Sequence, residues 1–169
     1  VSQKGANLAL RALAAAGVVT VEDHPPAKLY TLNRHHLAAS PIEALASLRD
    51  QLIEAMGTQL TGWSSPAWGA WLFGSAARGD GDETSDVDVV LVRPDTTPDS
   101  EVGWLEQVEH FIDAVTGWTG NRCEVIEYSL GEFKQLFERD DRLARDLRSD
   151  GIALTGRRLP GRSSAKRTD

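Results

Sequence analysis

Residues 72–92, LFGSAARGDGDETSDVDVVLV, decide how this chain is read. The stretch opens on the end of an apolar strand and runs into Gly74-Ser75, after which a helical turn can begin. Glycine lets the backbone come close to a bulky anion, and the N–H groups that follow can point at phosphate oxygens. Ser75 adds a hydroxyl donor, and Arg78 adds a charged fork in the same turn.

Asp86-Val87-Asp88 then starts a second apolar strand. Residues two apart on a strand face the same way, so the two carboxylates project together. Two like charges side by side are costly unless a cation neutralises them. Carboxylates with open oxygens suit hard ions such as Mg²⁺, which also binds substrate phosphates. The run Val89–Val92 anchors the pair to the sheet, and Ser85 caps or shapes the turn ahead of it. A loop suited to a triphosphate and a strand suited to its metals are thus joined by a short connection, as two-metal phosphoryl chemistry requires. Such a site wants a third carboxylate from a neighbouring strand. RCEVIEY, residues 122–128, offers Glu124 and Glu127, which alternate to opposite faces, so one of them can join the pair.

Outward from this centre the elements alternate. A strand is predicted at AWLFG (residues 70–74), a second through DVDVVLV and a third at RCEVIEY. A helix over about 101–118 would bury Val102, Leu105, Val108, Phe111, Ile112, Val115 and Trp118. Short helices follow around Phe133–Glu138 and Arg142–Arg148, and Ile152–Leu154 closes as a small strand. Trp71, Trp104 and Trp118 read as core, whereas Trp63 and Trp68 flank Ser-Ser-Pro and read as surface or hinge residues. Upstream, one amphipathic helix is expected from Pro41 to about Leu60, on the stripe Ile42, Leu45, Leu48, Leu52, Ile53, Met56 and Leu60. Residues 2–17 form a first helix stopped by Gly17, and GVVTVE and KLYTLN form two strands around the turn DHPPA. That helix and hairpin resemble the second half of a winged helix-turn-helix.

The expected architecture is α+β, a small mixed α/β sheet covered by helices. Its parts are a partial winged-helix-like segment (1–40), a linking helix (41–62), a main domain (63–156) and a disordered basic tail (157–169). At 41% hydrophobic and 25% charged the chain is an ordinary globular protein, and it has no run of apolar residues long enough to span a bilayer. No signal peptide is expected before the first helix. The single Cys123 leaves no disulfide framework and no Cys-based zinc site, which fits a reducing cytoplasm. A net charge of −7 argues against binding nucleic acid through overall charge.

Gly74-Ser75, ten intervening residues and then Asp86-Val87-Asp88 resemble the signature of the DNA polymerase beta-like nucleotidyltransferase superfamily. The pattern GSxxRG followed by SDxD is most similar to its minimal nucleotidyltransferases, including those paired with HEPN-type toxins. The likeness covers roughly residues 67–130. In that family the third acid commonly opens a stretch such as acid-V-V-acid-L. Glu124-Val125-Ile126-Glu127-Tyr128 matches that form and favours Glu124 as ligand, with Glu127 as the alternate. A Glu there departs from the more usual Asp.

The resemblance implies transfer of a nucleoside monophosphate from an NTP, ATP first, with release of pyrophosphate. Asp86, Asp88 and Glu124 would hold two Mg²⁺ ions, for which Mn²⁺ can substitute. Gly74, Ser75, Arg78 and Ser85 would surround the nucleotide. The acceptor would be a hydroxyl on a protein, an RNA or a small molecule. Two other classes stand beside this one. A degenerate transferase could act as an antitoxin-like binding module, and a nucleotide-sensing regulator could bind duplex DNA through residues 2–35.

Overall fold

A computed structural model describes residues 2–159. Of the predicted basic tail, residues 160–169 lie outside the described part. The chain divides into two compact units, Val1–Leu48 and Arg49–Asp169.

In the first unit, Ser2 caps α1 (Gln3–Ala15) by accepting from the Gly5 N–H at 3.2 Å. The helix stops where Gly17 turns to φ +74°. Strands β1 (Val19–His24) and β2 (Ala27–Leu32) pair antiparallel, from Val19 opposite Leu32 to His24 opposite Ala27. Asn33 closes the unit's base through its side-chain donation to the Gly17 carbonyl at 2.9 Å. None of the residues of α1 is buried, and Leu8 is 72% exposed.

The predicted helix from Pro41 to Leu60 is two helices, α2 (Ala39–Ala46) and α3 (Leu48–Thr61). Ser47 separates them: its hydroxyl donates back to the Ala44 carbonyl at 3.0 Å, a local bond that competes with helix propagation. The apolar stripe therefore divides. Met56 and Leu60 are buried, while Leu45 and Leu48 remain exposed.

The second unit holds a four-stranded mixed sheet in the order β5-β4-β3-β6. Strands β3 (Gly69–Phe73) and β4 (Val87–Arg93) are antiparallel, and β4 runs parallel to β5 (Cys123–Ser129). The short β6 (Ile152–Ala153) pairs antiparallel with β3. Between β3 and β4 lies the single turn α4 (Gly74–Arg78), and α5 (Val102–Thr119) makes the crossover from β4 to β5. Two short helices follow, α6 (Leu130–Glu138) and α7 (Arg142–Asp150). The α+β expectation holds. Among the described residues no helix is long and apolar enough to cross a membrane.

Strand alternation gives the sheet two apolar faces. Leu72, Val87, Val89 and Leu91 pack with Met56 and Leu60 of α3 and with Trp104, Val108, Phe111 and Val115 of α5. Trp71, Val90 and Val92 pack on the other side with Phe133 and Phe137 of α6 and Ala144 and Leu147 of α7. Two tryptophan expectations are corrected here. Trp63 is core, meeting Trp104 edge-on at 5.3 Å, whereas Trp118 is 50% exposed. Val102 and Leu105 are also exposed, because the buried stripe of α5 runs through Trp104 instead. Phe133 is fully buried and stacked on Trp71 at 5.0 Å. Phe133→Ala should therefore cost about 3–5 kcal/mol in urea unfolding monitored by tryptophan fluorescence.

Candidate functional site

The site forms where β3 gives way to α4 and where β4 begins. Phe73 precedes α4 in an extended conformation, and Gly74 then takes φ +70°, a region that side-chain-bearing residues avoid. A second constraint acts on the same residue. A Cβ on Gly74 would lie 2.4 Å from Oδ2 of Asp88. Only glycine lets the turn and the carboxylate sit this close together.

Asp88 stands opposite Phe73 on one side and opposite Glu124 on the other. Directly paired residues share a sheet face, so Asp88 and Glu124 project together. Asp86 lies one residue ahead of β4 and lines the neighbouring cleft beside Val87. Burial raises the Asp88 carboxyl above its ordinary range, and the charges of Glu124 and Asp86 push it further; Arg78 acts weakly in the opposite sense. Among the described residues no hydrogen-bond donor reaches the carboxylate of Asp86 or Asp88. Glu124 pairs with Arg122 at 2.8 Å, a contact made by an arginine that is 75% exposed and therefore easily exchanged. Glu127 is turned to other work: its carboxylate accepts from the Trp104 indole N–H at 2.7 Å. Burial, with the Asp88 charge, pushes the neighbouring Cys123 thiol up to about 12, which leaves it inert.

Among the described residues no three His, Cys, Asp or Glu side chains form a ready-made cage for an ion. Mg²⁺ is usually held by one or two carboxylates, with substrate phosphates and water filling the remaining positions. A partly buried carboxylate without a donor, crowded by two others, fits such an ion.

The predicted nucleotide-side residues divide. Ser75 and Ser85 line a cleft of about 290 Å³, together with Asp86 and the apolar Leu52, Ala76 and Val87. Ser85 also shapes its own turn, accepting from the Asp82 N–H at 3.0 Å and donating to Asp82 Oδ1 at 2.9 Å. Arg78 ends α4 and is engaged by carboxylates, Asp80 at 3.2 Å and Asp150 at 3.4 Å. Two residues that sequence reasoning passed over also line the cleft. Arg49 lay inside the supposed linking helix, and Asn121 lay in what read as a helix stop. Both bond to main-chain carbonyls far away in sequence, which no side-chain pattern reveals.

Residues 64–148, half of the chain, match the family described as nucleotidyltransferase domain. No curated protein matches the chain. Among solved structures, a toxin-antitoxin crystallised with AMP-PNP is 14% identical, covering 65% of this chain and 74% of that one, with a TM-score of 0.42. A protein described as a nucleotidyltransferase, from Sulfolobus solfataricus, is 19% identical over 68% of this chain and 85% of its own, with a TM-score of 0.39. One described as a minimal nucleotidyltransferase is 21% identical over 66% and 93%, with a TM-score of 0.39.

Two outcomes follow from the geometry. Gly74→Ala should destabilise the protein by about 1–2 kcal/mol from its positive φ alone, and by more once Asp88 is displaced; urea unfolding measures this. Asp88→Asn removes a crowded, partly buried charge, so it should raise the thermal midpoint in metal-free buffer.

Proposed function

Because this chain belongs to the nucleotidyltransferase domain family and so moves a nucleoside monophosphate, we propose that ATP is its donor, Mg²⁺ its cofactor, and Asp86, Asp88 and Glu124 the residues that hold the metal. The observation that carries this reading is the juxtaposition of Asp88 with Gly74 on one side and Glu124 on the other. The same register, with the engagement of Glu127 by Trp104, favours Glu124 as the third ligand.

Two bound Mg²⁺ ions would supply charge neutralisation on the triphosphate and a lowered pKa for the acceptor hydroxyl. The chain's own groups do the rest. The N–H groups of the α4 turn and the Ser75 hydroxyl bind phosphate oxygens. The turn and the strand would orient the α-phosphate so that pyrophosphate departs in line with attack. Glu124, whose side chain is 41% exposed, would accept the acceptor's proton. Arg78 contributes to the phosphates only on leaving Asp80 and Asp150; in its present pairing it braces the end of α4. The acceptor is a hydroxyl on a protein, an RNA or a small molecule.

The test is pyrophosphate release from each NTP in Mg²⁺, with cell extract as the source of acceptor. ATP should support release, and Asp86→Ala or Asp88→Ala should reduce it on the order of a thousandfold, the scale of losing a group that stabilises transition-state charge. Release that persists in both variants would refute the assignment.

A further inference from the structure

The two segments that face the cleft are poorly suited to hold their own shape. Helix α4 has five residues, a single turn, and a helix that short does not stand alone in water. The loop Asp82–Ser85 is exposed along most of its length. Each is held from outside by one side chain through two main-chain carbonyls.

Arg49, near the start of α3, holds the first. Its Nε donates to the Ala76 carbonyl at 3.1 Å, and its Nη2 donates to the Ala77 carbonyl. Just past α4 the Gly79 and Asp80 N–H groups both return to Ser75, so the Ala76 and Ala77 carbonyls are left without a main-chain donor. A guanidinium satisfies both and places its charge at the negative end of the turn, whose other end carries Gly74-Ser75. Asn121 holds the second segment. Its side-chain amide donates to the Asp82 carbonyl at 2.9 Å and to the Ser85 carbonyl at 2.7 Å, using both its protons to pin the two ends of the loop. Asn121 is itself set by the Thr119 hydroxyl, which accepts the Asn121 N–H at 3.1 Å and donates to the Val115 carbonyl of α5 at 2.8 Å. One residue further along, the Val87 N–H donates to the Arg122 carbonyl at 2.8 Å, so the start of β4 is tied to the same turn.

We propose that Arg49 and Asn121 are positioning residues with separate tasks: Arg49 sets the turn that grips the nucleotide's phosphates, and Asn121 sets the loop that aims the Asp86 and Asp88 carboxylates at the cation. This rests on the functional reading above. Neither residue needs to touch the reacting atoms. The division follows from which segment each one holds, and it predicts a crossover that a general loss of stability would not produce.

The experiment measures two constants on the full chain, Mn²⁺ affinity without nucleotide by electron paramagnetic resonance and ATP affinity at saturating Mg²⁺ by calorimetry. Arg49→Gln should weaken ATP about tenfold or more and leave Mn²⁺ within about twofold; Asn121→Ala should do the reverse, on the scale that supporting hydrogen bonds carry for metal sites. Arg49→Lys keeps the charge without the two-pronged donation, and Asn121→Asp keeps the size without the donors. Each should reproduce most of its partner's loss, and they serve if the larger changes unfold the unit. Equal shifts in both constants, or none, would overturn the inference while leaving the functional reading standing. A wild-type chain that binds neither Mn²⁺ nor ATP would overturn both.

Discussion

The arrangement depends on an electrostatic conflict at the start of β4. Asp86, Asp88 and Glu124 crowd one end of a sheet face, and Asp88 is partly buried there without a donor. Unneutralised, such a cluster works against folding, since burial disfavours the charged form and neighbouring charges of the same sign add to the penalty. The rest of the unit keeps the cluster assembled: the sheet register brings Glu124 to Asp88, and a glycine at residue 74 leaves room for the carboxylate beside the α4 turn.

The sheet that carries this conflict is well supported. Apolar residues cover both faces, and the aromatic contacts Trp63–Trp104 and Trp71–Phe133 lie on opposite sides of it. Strand β4, with Val89, Val90, Leu91 and Val92 all fully buried, is the element least able to shift. Asp88 is therefore mounted on the most buried strand, and the short α4 turn beside it is the part that needs bracing. Such an order suits a reaction in which preorganised charge is the main contribution of the protein.

Much of this was legible in the sequence, and the reasons are local. Strand periodicity marks Asp88–Val92 and glycine's conformational freedom marks the turn at Gly74-Ser75, whereas Asp86 lies one residue ahead of β4, where strand alternation does not set its direction. Neither inference needs tertiary contacts. The α+β class followed from the alternation of apolar segments. One failure was local, and the others came where distant contacts decide. Periodicity alone carried a single helix through Ser47, where a hydroxyl bond to Ala44 accompanies the break. On α5 the pattern 102-105-108 and the pattern 104-108-111 compete, and Trp63 packing on Trp104 identifies the buried one. Glu124 and Glu127 looked nearly equivalent until the register set one beside Asp88 and Trp104 engaged the other. Arg49 and Asn121 were invisible for a further reason: their partners are main-chain carbonyls 27 to 39 residues away.

On the proposed function, the carboxylate cluster and the Gly74-Ser75 turn together form one metal-dependent nucleotide site. Calorimetric titration of ATP into the wild-type chain and into Asp88→Asn, each with Mg²⁺ and with EDTA, tests it most directly. ATP should bind the wild type with Mg²⁺, and binding should be lost both in EDTA and in the variant. ATP binding that is equally strong without the metal, or no binding of any NTP, would contradict it.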